Sequence, residues 1–146
     1  MPRMIETLTD RQVAPEHCDR LGHMNVQYYV GAISDAYFVL ADSIGLGPGD
    51  GDGPGVDMAA IRSEIDYIRE LHEGERYRME SGVAAVGTKT LTLVHRMYRG
   101  RDGELAMRAR FVGVCMDIAS RTTRPLPDRV RELAGAMIAD GPADAA

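Results

Sequence analysis

Apolar side chains change their spacing along this chain, and each change marks a different kind of element. Residues 4 to 14, with Ile5, Leu8 and Val13, predict a first strand that ends at Pro15. From Val26 the apolar positions fall at Tyr29, Val30, Ile33, Tyr37, Leu40, Ala41 and Ile44, the i, i+3, i+4 stripe of one helix of about five turns. Gly45, Gly47 and Pro48 stop it, glycine by adopting a left-handed cap and proline by being unable to continue a helix. Past this point the period becomes two. Ala59, Ile61, Ser63, Ile65 and Tyr67 alternate with Arg62, Glu64 and Asp66 in a half-buried strand that runs to about Glu70. Tyr77, Met79, Ser81 and Val83 repeat the alternation to Val86, and Leu91, Leu93, His95 and Met97 do so after a turn at Gly87-Thr88. Asp102-Gly103 is a hairpin signal. In the last strand Leu105, Met107, Ala109 and Phe111 share one face, but Val112, Val114, Met116 and Ile118 take the opposite parity. That predicts either a bulge near Gly113 or a strand covered on both faces, the second implying a partner subunit. Pro125 and Pro127 lead the chain off the sheet, and residues 128 to 139 predict a short terminal helix with Val130, Leu133, Ala134 and Met137 on one side.

The order is strand, one long helix, then four strands joined by short turns: an α+β layout in which an antiparallel sheet buries its face on that helix. A length of 146 residues suits one domain, residues 1 to 146, with a single core. Apolar residues at 45% and charged residues at 27% are the usage of an ordinary globular domain. A net charge of -5 argues against a nucleic-acid partner, which calls for a basic face. The two cysteines, Cys18 and Cys115, and a start without a basic and then apolar run make a reducing cytoplasm the expected location. No stretch approaches the roughly 18 to 20 apolar residues of a membrane span.

Two segments invite a search for chemistry. Gly45 to Gly55 holds six glycines and two prolines and reads as a flexible connector or lid. It has no lysine to reach phosphate as a P-loop does, and although Asp50 and Asp52 begin like a calcium loop, Pro54 occupies the third ligand position. The richer segment is residues 19 to 29, Asp-Arg-Leu-Gly-His-Met-Asn-Val-Gln-Tyr-Tyr. It sets one acid, Asp19, and a turn at Gly22 immediately before the helix, with Asn25 as its cap and free N–H groups near the acid. His17, Cys18, Asp19 and His23 match no recognised metal spacing, no second ligand cluster follows, and no Gly-x-Ser-x-Gly nucleophile elbow is present. Neither a metal nor a cofactor is expected.

The run Cys18-Asp19-Arg20-Leu21-Gly22-His23-Met24-Asn25, followed by Tyr28-Tyr29, resembles the D-x-x-G-H-x-N-x-x-Y signature of hotdog-fold acyl-CoA thioesterases of the 4-hydroxybenzoyl-CoA thioesterase type. Glu64-Ile65-Asp66-Tyr67, the Gly74 turn, Val86-Gly87-Thr88-Lys89-Thr90 and Thr123-Arg124-Pro125-Leu126-Pro127 fall where that family places similar residues. The resemblance implies a five-stranded antiparallel sheet wrapped around one long helix, a homodimer or homotetramer, and active sites shared between subunits. It implies an acyl-CoA substrate, with Asp19 as nucleophile or general base and the backbone N–H of Val26 polarising the thioester carbonyl. His23-Met24-Asn25 stands where the hydroxybenzoyl-specific branch has apolar residues, which argues against a hydroxybenzoyl substrate.

These residue types suit the reaction. Thioester hydrolysis needs a nucleophile or base and a positive dipole where the oxyanion develops, and a helix N-terminus also keeps a neighbouring carboxylate ionised. His23 would donate to substrate or to Asp19, or else brace the turn; Asn25 is foremost a cap. Glu64 faces either a neighbouring active site or solvent, and Asp35 is a second candidate acid. Lys89 and Thr90 resemble the family's segment for the coenzyme A portion of the substrate, with Arg96, Arg99, Arg121 and Arg124 as further phosphate partners. Two rivals share the fold: a hydratase or dehydratase acting on an acyl thioester, and a noncatalytic acyl-CoA-binding protein.

Overall fold

A computed structural model describes residues 2 to 49 and 55 to 138; Asp50, Asp52 and Pro54, weighed above as a calcium loop, lie outside the described residues, as does residue 139. The order is β1 (Ile5–Gln12), a 3-10 turn (Pro15–His17), α1 (Val26–Ser43), β2 (Val56–Tyr67), β3 (Arg76–Val86), β4 (Thr90–Arg99), β5 (Leu105–Asp117) and α2 (Asp128–Ile138). The strands form one five-stranded sheet in the order β1-β3-β4-β5-β2, every neighbouring pair antiparallel.

Local signals account for α1. Asn25 holds an extended conformation and its side chain accepts a hydrogen bond from the Gln27 N–H, satisfying one of the donors that a helix start leaves free. At the other end Gly45 takes φ 82°, and the N–H groups of Gly45 and Leu46 return to the carbonyls of Asp42 and Ala41. That is the paired closure of a glycine C-cap, and Leu46 is buried beside it. The face turned to the sheet carries Tyr29, Ala32, Ile33, Ala36, Leu40 and Ala41. Val30, placed on the same stripe by its spacing, is exposed; Ala32 and Ala36 take the core side instead, their small side chains letting helix and sheet approach.

Two hydrophobic clusters fill the space under α1. One joins Tyr29 and Ile33 to Leu71, Met79, Met97 and Met107 at the start of the helix. The other joins Leu40 and Ile44 to Val83, Leu91, Leu93 and Cys115, and is closed by Val130, Ala134 and Met137 of α2. The picture of a sheet around a single helix therefore needs α2 as a second, smaller wall. No helix among the described residues is long and apolar enough to cross a membrane.

The phase of β2 differs from the simple alternation. Ala60 pairs with Gly113 and Arg62 with Val112, so Ile61 is an extra residue. This bulge puts Met58 and Ala60 on the same side as Ile65 and Tyr67 and leaves Ile61 exposed. A Cβ on Gly113 would stand 3.1 Å from that of Met58, so the glycine makes room for β2 as it bends. Of the two alternatives for β5, a bulge does lie beside Gly113, but its extra residue belongs to β2; β5 itself keeps unbroken register with β4 from Val114 to Met107.

Candidate active site

The chain between the 3-10 turn and α1 folds back on itself through its backbone. Gly22, at φ 82°, donates its N–H to the Asp19 carbonyl at 3.0 Å, and Asp19 N–H points to the His23 carbonyl at 3.3 Å. Cys18 and Met24 form a bridge across the reversal. The buried Met24 anchors it, its N–H donating to the Leu71 carbonyl at 2.7 Å. Glu70 and His72 brace the turn from outside, with His23 Nε2 3.6 Å from Glu70 Oε2 and His72 Nδ1 3.1 Å from the Gly22 carbonyl.

Asp19 is held at both oxygens. Leu21 N–H donates to Oδ1 at 2.8 Å and Asn25 Nδ2 to Oδ2 at 2.8 Å. The Asn25 amide, the Leu21 N–H and the nearby His23 and Arg20 together keep its carboxyl below the ordinary range, because each bond favours the charged form. The same Asn25 side chain turns its oxygen to Gln27 N–H at 3.0 Å, so one amide links the carboxylate to the helix start. Tyr28 N–H is taken by the Asn25 carbonyl. Val26 N–H, between these satisfied donors, has no hydrogen-bond partner among the described residues. An aspartate whose ionised form is favoured is therefore tied by the Asn25 amide to the residue that precedes a free backbone donor, at the positive end of an 18-residue helix.

A cavity of about 360 Å³ opens at the helix start, walled by His23, Met24, Val26, Tyr29, Tyr67, Ile68, Arg69 and Glu70, with Asp19 outside its lining. The rings of Tyr29 and Tyr67 meet edge to face at 5.2 Å, and burial pushes the Tyr29 phenol up to about 12. A second cavity of about 250 Å³ lies further along α1, between Val30, Ser34 and Tyr37 of the helix and β2, β4 and β5. The Tyr37 hydroxyl donates to the Asp57 carboxylate. None of these wall residues stands out in the sequence except His95, a polar side chain in the apolar parity of β4.

Other candidate residues lie elsewhere. Glu64 is exposed on the outer face of β2, paired with Arg62 at 3.0 Å and across from Arg110. Lys89 and Thr90 are in the β3–β4 turn, where their carbonyls accept from Cys115 and Gly87 N–H; this is the opposite end of the sheet, a strand's length of about 30 Å away. Asp35 is ion-paired with Arg11 at 2.7 Å. His17 packs against Tyr28 and accepts the Ala14 N–H. Among the described residues no group of three His, Cys, Asp or Glu is placed to hold a metal.

The profile of the thioesterase-like superfamily matches residues 13 to 133. The chain belongs to that family. Among curated proteins it is 30% identical over 134 residues to the L-carnitine dehydrogenase/betainyl-CoA thioesterase of Ruegeria pomeroyi, a match that covers 91% of this chain and 26% of that protein. The chain thus spans about a quarter of the length of this relative. Among solved structures, a 1,4-dihydroxy-2-naphthoyl-CoA thioesterase from Synechocystis superposes with TM-score 0.72 at 19% identity, covering 94% of this chain and 100% of that one. A hypothetical protein from Staphylococcus aureus in complex with CoA gives 0.76 at 15% identity over 100% and 91%. A thioesterase-superfamily protein from Jannaschia gives 0.76 at 17% over 90% and 80%. At these identities the superpositions establish the shared fold.

Proposed function

We propose that this chain hydrolyses acyl-CoA thioesters to the free acid and coenzyme A. The carrying observation is a carboxylate whose charged form is favoured by Asn25 and Leu21, joined through Asn25 to a helix whose first N–H, that of Val26, has no partner among the described residues. Substrate would place its thioester carbonyl oxygen on Val26 N–H and its carbonyl carbon before Asp19. Asp19 then either attacks, forming a mixed anhydride as the C–S bond breaks, which water cleaves to the free acid and the Asp19 carboxylate, or takes a proton from a water that attacks the carbonyl carbon directly as the C–S bond breaks. The leaving thiolate has an ordinary thiol pKa of about 8.5 and departs without a general acid. His23 and Asn25 position the turn; a direct role for Glu64 would require a second protomer.

The proposal includes a homodimer. Strand β2 ends the sheet, and beyond a bridge from Val56 to Gly47 its outer edge has no strand partner among the described residues; its length and exposed Ile61 and Tyr67 are features that isolated edge strands avoid. Two-fold antiparallel pairing along β2 would bring the partner subunit's Lys89 and the partner subunit's Thr90 towards the Asp19 end, the arrangement in which they serve the coenzyme A portion.

Thiol release measured over short, medium, long and aromatic acyl-CoAs, with betainyl-CoA included because of the Ruegeria relative, tests the reading. Wild type should release thiol and Asp19→Ala should lose at least about 10²-fold. Absence of release from every substrate, or an Asp19→Ala rate equal to wild type, refutes it.

A further inference from the structure

Thr7, Ser81 and His95 are the buried polar side chains among the described residues, and they stand in one row across β1, β3 and β4. Thr7 Oγ1 is 2.9 Å from Ser81 Oγ, and Ser81 Oγ is 2.7 Å from His95 Nδ1. Thr7 Oγ1 also reaches the Met79 carbonyl at 3.4 Å. Each hydroxyl has one proton, and a carbonyl can only accept. The arrangement that satisfies all three contacts runs from His95 Nδ1–H to Ser81, from Ser81 to Thr7, and from Thr7 to Met79. The imidazole is then neutral with its lone pair on Nε2. His95 lines the 250 Å³ cavity and stands edge to face with Phe111 at 6.1 Å. Ser81 accounts for Nδ1 and leaves Nε2 as the acceptor that the ring can offer to the cavity.

The other lining groups narrow the choice of partner. Among the described residues no ionised side chain lines this cavity; Ser34 is uncharged, and the Tyr37 hydroxyl is engaged by Asp57. A cationic acyl group would find no carboxylate here, and an anionic one would meet the Nε2 lone pair. A plain alkyl chain would displace water from Nε2 without replacing its hydrogen bond, which loses affinity. A neutral hydroxyl donates to Nε2 and leaves no charge buried. Position sets the reach: Val26 and Val30 are exposed one turn apart on the helix, and the helical wall from Val30 to Tyr37 is centred about 11 Å beyond Val26. A hydroxyl next to the thioester, or para on a single benzoyl ring, stops several ångström short.

We infer that this cavity is an acyl pocket in which His95 Nε2 accepts a hydrogen bond from a hydroxyl near the far end of a medium-length aliphatic acyl chain. Such hydroxyacyl-CoA thioesters are the preferred substrates. Thr7 and Ser81 are positioning residues that fix the ring's tautomer. The inference rests on the thioesterase reading for the placement of the carbonyl at Val26.

The test compares kcat/KM for medium-chain acyl-CoAs with and without a terminal hydroxyl, for benzoyl-CoA with and without a para-hydroxyl, and for a trimethylammonio-acyl-CoA. Binding of the corresponding free acids is measured in parallel. Wild type should favour the terminal hydroxyl by about tenfold or more at its best chain length, with no such preference in the benzoyl pair. In His95→Leu the ratio should fall to near one, and in Ser81→Ala, a smaller perturbation that keeps the imidazole, it should fall in the same direction. A wild-type ratio near one, a ratio retained in both variants, or selection of the trimethylammonio substrate overturns the inference. If no thioester is hydrolysed but the hydroxy acids still bind selectively through His95, the pocket stands and the thioesterase reading falls. Hydrolysis without hydroxyl selectivity separates the two the other way.

Discussion

Replacing Val26 with proline removes one hydrogen atom that the proposed chemistry needs and the fold does not. Val26 is the first helical residue, where proline is well tolerated because its fixed φ suits the helix and its missing N–H has no intrahelical partner. The preceding Asn25 already has φ -73° and ψ 151°, within the extended region that a following proline demands. The Asn25 cap bond goes to Gln27, not to Val26, and the Val26 side chain is 52% exposed. Little packing is therefore lost, and the change in stability should stay within about 1 kcal/mol, a few degrees in Tm for a domain of this size. Loss of one oxyanion donor should instead lower kcat by about 10² to 10³-fold, or roughly 3 to 4 kcal/mol of transition-state stabilisation. Thermal unfolding and steady-state thiol release on the same preparation give both numbers. Val26→Ala, which keeps the N–H, is the reference for the side chain, so the donor's worth is the ratio between the two variants. Gln27→Pro should behave in the opposite sense by breaking the cap. If Val26→Pro folds normally and turns over as Val26→Ala does, the oxyanion donor is not this N–H.

Asn25 couples the carboxylate to the cap, and two substitutions separate those duties: Asn25→Asp keeps the cap acceptor, whereas Asn25→Ala loses it at about 1 kcal/mol. Both remove a donor that favours ionised Asp19, so the acid limb of the kcat/KM profile should move to higher pH in both, and further in Asn25→Asp, where a second carboxylate faces the first; an unmoved limb would contradict the role given to this bond. His95 sets a stability dependence with a defined sign. Burial pulls it down to about 4 from an unfolded value of about 6.5, so the unfolded chain binds the extra proton between those values and stability falls as pH drops from about 6.5 to 4, by about 3 kcal/mol. Urea unfolding across that range should show a slope that His95→Leu reduces, most of all between about pH 5 and 6.5, above the range where carboxylates titrate. Leu40→Ala, at a fully buried site, should cost about 2 to 5 kcal/mol, lowering the urea midpoint without changing the m value.

What was legible in the sequence is what depends on neighbours in the chain. Asn25 and Gly45 define the limits of α1 because capping is a matter of one or two residues, and the same locality makes Asp19, Asn25 and Val26 readable as a group. The phase of β2 was not legible, because the extra residue at Ile61 answers to Gly113 and Met58 meeting across two strands. Tyr67 and Glu70 reach the cavity at Val26 only after the chain has crossed the glycine-rich loop and run the length of β2. Lys89 and Thr90 show the converse: their segment resembles a coenzyme A contact, yet one chain holds them at the far end of the sheet from Asp19. The α2 wall was foreseen as an amphipathic helix, but not its place over the second core, which no pattern within residues 128 to 139 encodes.

The Thr7, Ser81 and His95 row also bears on how the sheet finds its alignment while folding. Alternation of apolar and polar positions forbids a strand to slip by one residue, since every side chain would change face, but tolerates a slip of two. A two-residue slip of β1 would set Ile5 or Thr9 in the place of Thr7, and one of β4 would set Leu93 or Met97 against Ser81. Most such slips leave buried hydroxyls or an imidazole without partners. Three polar side chains in an otherwise greasy layer thus discriminate among pairings that hydrophobicity alone cannot rank. Thr7→Val with Ser81→Ala and His95→Leu would keep the bulk of the layer yet remove its means of telling one alignment of β1 from the next.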